Sequence, residues 1–423
     1  MEYSHRLVDV ELDELLPELA ALAIDGARGV GKTATAVRRA KTVFTLDDPA
    51  QHQIVAAEPG IVDRAARPVL LDEWQRYPPI WDHVRRQVDS GARAGSYVLA
   101  GSAVPPDAPV HSGAGRIVSL RMRPLSLAER SLTTPAVSLT ELLTGSRPEI
   151  GGSTRLVLTD YVEEILASGF PGIRPLSGRA RRAQLDSYLA LVVEREFPEQ
   201  GLRIRRPQTL FAWLSAYAAA TATSTSYNAL MAAATAGETD KPAKTTTIAY
   251  RDVLDRLYLL DPVPGWIPAH NHLGRLGQAP KLHLVDPALA ARLLGVDAGA
   301  LLRAERVGPP VPRDGTLLGA LFESLVTLSV RCYAQVAEAH TRHFRLHSGT
   351  HEIDLIIERA DHRVVAIEVK LATTVEPDDV RHLLWLQDRL GDDVLDAVVV
   401  TAGANAYRRE DGVAVVPAGL LGP

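Results

Sequence analysis

Between Leu22 and Ala34 the chain reads Leu-Ala-Ile-Asp-Gly-Ala-Arg-Gly-Val-Gly-Lys-Thr-Ala. An apolar run, a glycine-rich turn and a Lys-Thr pair opening a helical stretch leave few folds open. The spacing G-x-x-x-x-G-K-T is that of the phosphate-binding P-loop. Glycines let the backbone curl until several N–H groups face one anion, and the next helix turns its positive end to the same point. On this reading Gly26, Ala27, Arg28, Gly29, Val30, Gly31, Lys32, Thr33 and Ala34 surround a nucleotide, expected to be ATP. Lys32 reaches the β- and γ-phosphates, and the Thr33 hydroxyl ligates Mg2+.

The next segments extend that chemistry. Pro68-Val69-Leu70-Leu71-Asp72-Glu73 is an apolar run ending in two acids, the pattern of a buried parallel strand with carboxylates at its carboxyl end. Asp72 is expected to orient Mg2+ through water and Glu73 to polarise the attacking water. Ser96 to Ser102 forms a further apolar strand, and Ser102 at its end is placed to sense the γ-phosphate. Alternation over Arg116–Arg123 suggests a strand bearing arginines. Arg116 is a candidate arginine finger, in cis or for a neighbouring subunit, against the alternative of a solvated edge arginine. Strands alternating with helices in this order predict a parallel α/β sheet.

With a net charge of −5, the chain of 423 residues leaves room for a nucleic-acid site only as a local patch. A single cysteine, Cys332, excludes an intrachain disulfide and suits a reducing cytoplasm, and the N-terminal stretch lacks the pattern of a signal peptide. Pro207 to Gly237 carries no charge, but its Ala, Thr and Ser content predicts packed helices rather than a membrane span, so no membrane partner is expected. Residues 131–155 read as a linker or surface excursion. A helix over Tyr161–Leu166 is stopped by Gly169 and Pro171, an amphipathic helix covers Arg179 to Glu196, and helices continue from Thr209 to Leu260. Arg203, Arg205, Arg206, Lys241 and Lys244 are candidates to meet phosphates, although a solvated basic face is the commoner meaning of such residues.

Near the C-terminus, Ile353–Ile357 and Val364–Lys370 flank the turn Ala360–Arg363 and predict a β-hairpin. A loop centred on Asp361 and His362 sets Asp354 opposite Val369, with a register one residue away as the alternative, beside Glu368 and Lys370, which share a face. Two carboxylates that bind Mg2+ or Mn2+ and a lysine that orients the nucleophile suit phosphodiester hydrolysis. The alternatives are a surface salt-bridge strand and a fold of this kind kept for binding alone. His340, His343, His347 and His351, and separately His270 and His272, lack the paired cysteines or close carboxylate of a strong zinc site.

Gly115-Arg116, followed by Pro124-Leu125-Ser126-Leu127-Ala128-Glu129, resembles the end of a prokaryotic AAA-type ATPase module, as do the Asp47-Asp48-Pro49 turn and the strand Leu99–Ser102. Ala103 departs from the serine that often follows there. In that family the module is fused to a C-terminal domain similar to the PD-(D/E)xK nucleases. The resemblance implies a winged-helix middle, an additional acid from Glu323 beside Asp354 and Glu368 at a second metal site, DNA or RNA as partner, and a homo-oligomer. Lys281-Leu282-His283-Leu284-Val285-Asp286-Pro287 matches the family's joining strand, with no chemistry assigned to it.

The expected architecture is α/β throughout: a P-loop ATPase domain over 1–135, connecting helices over 136–206, a helical and winged-helix module over 207–275, and a restriction-endonuclease-like domain over 276–423. The expected activity is Mg2+-dependent ATP hydrolysis coupled to nucleic-acid binding or cleavage. The alternative is a nucleotide-gated binding or scaffold protein with an inactive nuclease fold.

Overall fold

A computed structural model describes residues 3–105, 113–204, 206–235, 244–268, 278–302, 317–346 and 349–423. Arg205, Lys241, His270, His272 and His347 lie outside the described residues. The first sheet has five strands: β1 (Ala21–Asp25), β2 (Thr42–Thr45), β3 (Val69–Asp72), β4 (Tyr97–Gly101) and β5 (Val118–Arg121). Their order is β2-β3-β4-β1-β5, every pair parallel. The three central strands are covered on both faces, which explains their unbroken apolar runs: Leu22, Ala23, Val69, Leu70, Leu71, Val98 and Leu99 are fully buried. The strand carrying the alternating arginines is shorter than the pattern suggests, and Arg116 lies in a turn before β5.

The 131–155 segment is not a surface excursion. It contains β6 (Val137–Ser138) and the helix Leu139–Thr144. The strand pairs in parallel with the last strand of the chain, so the two ends of the C-terminal half close on one another.

The amphipathic helix of the middle is observed as Gly178–Leu191, and it widens into a π-helical turn over Val192–Glu196. The charge-free stretch folds into the helices Pro207–Ala219 and Tyr227–Ala234, followed by Lys244–Arg256. After these three helices, antiparallel bridges join Leu260 to Leu284 and Val263 to Lys281.

The second sheet contains β7 (Gly265–Trp266), β8 (His340–Arg345), β9 (Glu352–Glu358), β10 (Val364–Lys370), β11 (Val394–Thr401), β12 (Tyr407–Arg408) and β13 (Ala414–Pro417), in the order β12-β13-β11-β10-β9-β8-β7. The chain then ends in β14 (Leu421–Gly422), the partner of β6. The expected β9–β10 hairpin forms, but its register differs by one residue. Ile367 faces Leu355, which continues to Glu368 beside Asp354 rather than to Val369. The ladder stops there because the Asp354 carboxylate itself accepts the Val369 N–H, at 2.8 Å.

Among the described residues one helix, Leu317–Val336, is long and apolar enough to cross a membrane. In this fold 72% of its apolar window is buried against the protein, and it packs on the second sheet as a core helix.

Candidate functional site

Asp25, Asp72 and Gly101–Ser102 stand at the carboxyl ends of neighbouring parallel strands, where open α/β sheets bind ligands. The P-loop runs from β1 into the helix Lys32–Val37. Gly29 and Gly31 have φ of 85° and 105°, values a side chain would strain, so the loop needs glycine at both.

Within this curl Lys32 is 5% exposed, and its Nζ donates to the carbonyls of Gly26 (2.8 Å) and Ala27 (3.0 Å). Burial pulls its pKa down to about 8, against the upward pull of Glu73, Asp25 and Asp72. An anionic phosphate would restore the full charge and draw the ammonium off the loop carbonyls.

Thr33 donates its hydroxyl to the Asp72 carboxylate at 2.9 Å and 3.0 Å. Burial pushes Asp72 up to about 6; Thr33 opposes the shift, while Glu73 and Asp47 add to it. A hydroxyl and a carboxylate in contact are the hard oxygen donors Mg2+ takes while keeping several waters. The donor set therefore fits that ion.

Glu73 sits just past β3 with φ 52°, a strained position for a residue with a side chain. The strain aims its carboxylate at Gln75 Nε2 (2.5 Å) and the Ser102 hydroxyl (3.2 Å). Gln75 also donates to Ser102 Oγ at 3.0 Å, closing a triangle. The sequence singled out Glu73 and Ser102; Gln75 belongs to no motif and emerges only from the fold.

The Pro124–Glu129 segment braces the loop from behind. Glu129 accepts from Arg6 Nε (2.9 Å), Leu7 N (2.7 Å), Ser126 N (2.7 Å) and the Ser126 hydroxyl (2.8 Å). Arg6 in turn donates Nη1 to the Val30 carbonyl of the P-loop at 2.7 Å.

Arg116 is not part of this constellation. It precedes the amino end of β5, and about 13 Å of strand separates that end from the carboxyl edge where the P-loop sits. It donates instead to Asp89 at 2.8 Å and is 47% exposed. A finger acting in cis is not what this fold builds; the half-exposed pair with Asp89 is that of a solvated edge arginine.

The middle of the chain rests directly on the P-loop. The Tyr188 hydroxyl donates to the Arg28 carbonyl at 3.1 Å, and Glu196 pairs with the Arg28 guanidinium at 3.3 Å. Glu199 pairs with Arg76, just past Glu73, at 3.1 Å. A cavity of about 200 Å³ lies between Arg28, Tyr188, Leu191, Arg195 and Glu196.

The C-terminal candidates also gather, with one residue that carried no assigned chemistry. Lys281, 1% exposed, donates Nζ to Glu323 Oε1 and Asp354 Oδ1, both at 2.8 Å, and lies 3.5 Å from Glu352. Burial works against that charge, but Asp354, Glu323 and Glu352 hold the ammonium well above its ordinary pKa. Lys370 donates to Glu368 Oε1 at 2.9 Å, while Glu368 Oε2 is buried without a hydrogen-bond partner among the described residues. Burial pushes both Glu323 and Glu368 up to about 8. Among the described residues no three His, Cys, Asp or Glu side chains converge as metal ligands. His343 is buried with Nε2 on the Ala279 carbonyl, and His351 stacks on Trp385, so each is engaged otherwise.

Residues 19–131 match the family described as AAA domain. Residues 158–300 and 318–421 match two domains of unknown function, DUF8612 and DUF4143. No curated protein matches the chain. Among solved structures it is similar to a Walker-type ATPase of Pyrococcus abyssi, at 14% identity over 69% of this chain and 96% of that one, with a TM-score of 0.40. It is also similar to the ORC2 protein of Aeropyrum pernix in ADPNP–ADP complexes, at 15% identity over 68% and 89%, with a TM-score of 0.29. The AAA-domain match begins just before the strand that feeds the P-loop and ends just past the Glu129 brace. Residues 19–131 of this chain thus carry a P-loop domain similar to the AAA family.

Proposed function

We propose that the chain is a Mg2+-dependent, ATP-hydrolysing switch in which nucleotide displaces the middle of the chain from the P-loop and so alters binding of a nucleic acid by the C-terminal half. The latch on Arg28 carries this reading. Tyr188 and Glu196 hold the backbone and side chain of a P-loop residue, and the phosphates of ATP would bring negative charge beside Glu196 while offering Arg28 a stronger partner. The π-helical turn that bears Glu196 is a local irregularity of the kind often found at functional sites.

The chemistry follows from the side chains. Lys32 leaves the Gly26 and Ala27 carbonyls for the phosphates. Thr33 and Asp72 would hold Mg2+, which would supply charge neutralisation when bound. Glu73, oriented by Ser102 and Gln75, positions the attacking water. The nucleic-acid partner is supported by the resemblance of the acid–lysine end of the second sheet to the PD-(D/E)xK nucleases, and the inactive form of that fold is the reading the Lys281 contacts favour.

Phosphate release from Mg2+-ATP tests the first half. Glu73→Gln should keep ATP binding while turnover falls about 100-fold or more, and Lys32→Ala should lose both. Turnover unaffected by either change would sink the assignment. Anisotropy of labelled single- and double-stranded DNA and RNA, compared in ATP and in ADP, tests the second half; the same affinity in both nucleotides would remove the switch.

A further inference from the structure

A nuclease-like fold implies a divalent cation between the C-terminal carboxylates, and the residues present do not fit one. Mg2+ draws its oxygens to about 2.0–2.1 Å. The Glu323 and Asp354 oxygens instead stand 2.8 Å from an ammonium that already lies between them. Lysine carries three donors and a compact charge. Here two donors are spent on these acids, and Glu352 lies 3.5 Å away. The second Asp354 oxygen accepts the Val369 N–H at 2.8 Å, so both oxygens of this carboxylate already have a donor.

Lys281 is not a surface side chain that happens to reach in. It is 1% exposed, and its backbone is fixed in both directions to Val263, with N to O at 2.9 Å and Val263 N to Lys281 O at 2.8 Å. Removing a buried charge from its partners is costly, so the ammonium stays. On the other side of the same cluster Glu368 Oε2 is buried with no hydrogen-bond partner among the described residues, while Lys370 holds Glu368 Oε1.

We infer that Lys281 is the resident cation of the C-terminal cluster, standing where a divalent metal would lie between Glu323 and Asp354. The inference rests on the nuclease-like reading of the second sheet and decides between its active and inactive forms. With the lysine in place the cluster fastens the 281–285 segment to β9 and to the helix Leu317–Val336, and the C-terminal half binds without cutting.

The test is Mn2+ uptake by the full chain without nucleotide, followed by electron paramagnetic resonance. Wild type and Asp354→Asn should take up Mn2+ equally. Lys281→Gln should gain one further ion, bound at least about tenfold more tightly than any Asp354-dependent ion in wild type, and Lys281→Gln/Asp354→Asn should lose it. Wild-type uptake that falls on Asp354→Asn or Glu323→Gln overturns the inference, as does a folded Lys281→Gln that gains nothing. If Lys281→Gln does not fold, the wild-type comparison decides alone. Cleavage assays on the same samples separate the two readings. Asp354-dependent cutting by wild type overturns the resident lysine. A gained ion without cutting or nucleic-acid binding keeps the lysine and removes the nucleic-acid role.

Discussion

His283 is 2% exposed, and neither ring nitrogen has a hydrogen-bond partner among the described residues. Burial, then the charges of Lys281 and Arg331, pull its pKa down to about 3, with only Asp261 pulling the other way. His343 is likewise drawn down to about 4, chiefly by burial and then by Lys281. Both rings are neutral in the folded chain, whereas in the unfolded chain they take a proton near pH 6.5. Acidification below about pH 6.5 therefore favours the unfolded state, and the loss continues until the folded rings protonate. Each ring contributes a slope of up to about 1.4 kcal/mol per pH unit. Urea midpoints at pH 7 and pH 5 should differ strongly in wild type and less in His283→Gln; equal differences would show that the ring is not the acid-sensitive group. The same pair of residues marks the limit of the sequence. Lys281 and His283 alternate with Leu282 and Leu284, and polar groups inside an apolar run hint at burial. The meaning of Lys281 lies in Glu323 and Asp354, which are 42 and 73 positions further along, and His283 is buried beside that charge. The P-loop, by contrast, was legible because all its chemistry lies within one turn and one helix start.

At the scale of elements, strands and helices were readable wherever burial imposed a period, and the errors fell where two elements meet. The β9–β10 register turned on which residue the loop centres, and the Asp354 side chain ended the ladder. The 131–155 segment looked like a linker because β6 has only two residues, and its partner lies at the opposite end of the chain. The turn Val192–Glu196 matters most, since a helical period cannot reveal that its end rests on another domain's phosphate loop. Its pair with Arg28 is partly solvated, with Arg28 43% and Glu196 12% exposed, so the pair itself adds little to stability, about 0–1 kcal/mol. Its effect belongs to nucleotide entry. Glu196→Gln removes the charge that opposes phosphate and frees Arg28, so association of a fluorescent ATP analogue should quicken several-fold with the melting temperature little changed. Tyr188→Phe should act in the same direction and more weakly. An unchanged association rate in both would mean that the latch does not gate the site.

For the whole molecule, Asp261 is where the three parts meet. Arg123, just past β5, pairs with it at 2.8 Å, and Arg331 on the helix Leu317–Val336 reaches it at 3.3 Å and donates to its carbonyl at 2.9 Å. Gln335 extends the joint, donating to the Arg121 carbonyl at 3.0 Å and to Glu11 at 2.8 Å. Burial alone would raise the Asp261 pKa, yet Arg123, Arg331 and Arg121 hold it well below the usual carboxylate range. From there Pro262 leads to Val263, whose bridge to Lys281 enters the C-terminal cluster. The sheet that carries the P-loop and the sheet beside Lys281 thus share Asp261 as a buried charged joint. Asp261→Asn would strand two buried guanidinium groups without a full counter-charge, at a cost of about 3–5 kcal/mol. The contrast is the pair of Glu58 and Arg64, each more than 60% exposed, where Glu58→Ala should leave stability within about 0.5 kcal/mol. If Asp261 is the joint, calorimetry should show a single transition in wild type and two separate ones in Asp261→Asn. ATP should then raise only the transition of the P-loop sheet, because the ligand stabilises the part that binds it. One undivided transition, lowered no further than in Glu58→Ala, would mean that apolar packing between the parts holds them together without the carboxylate.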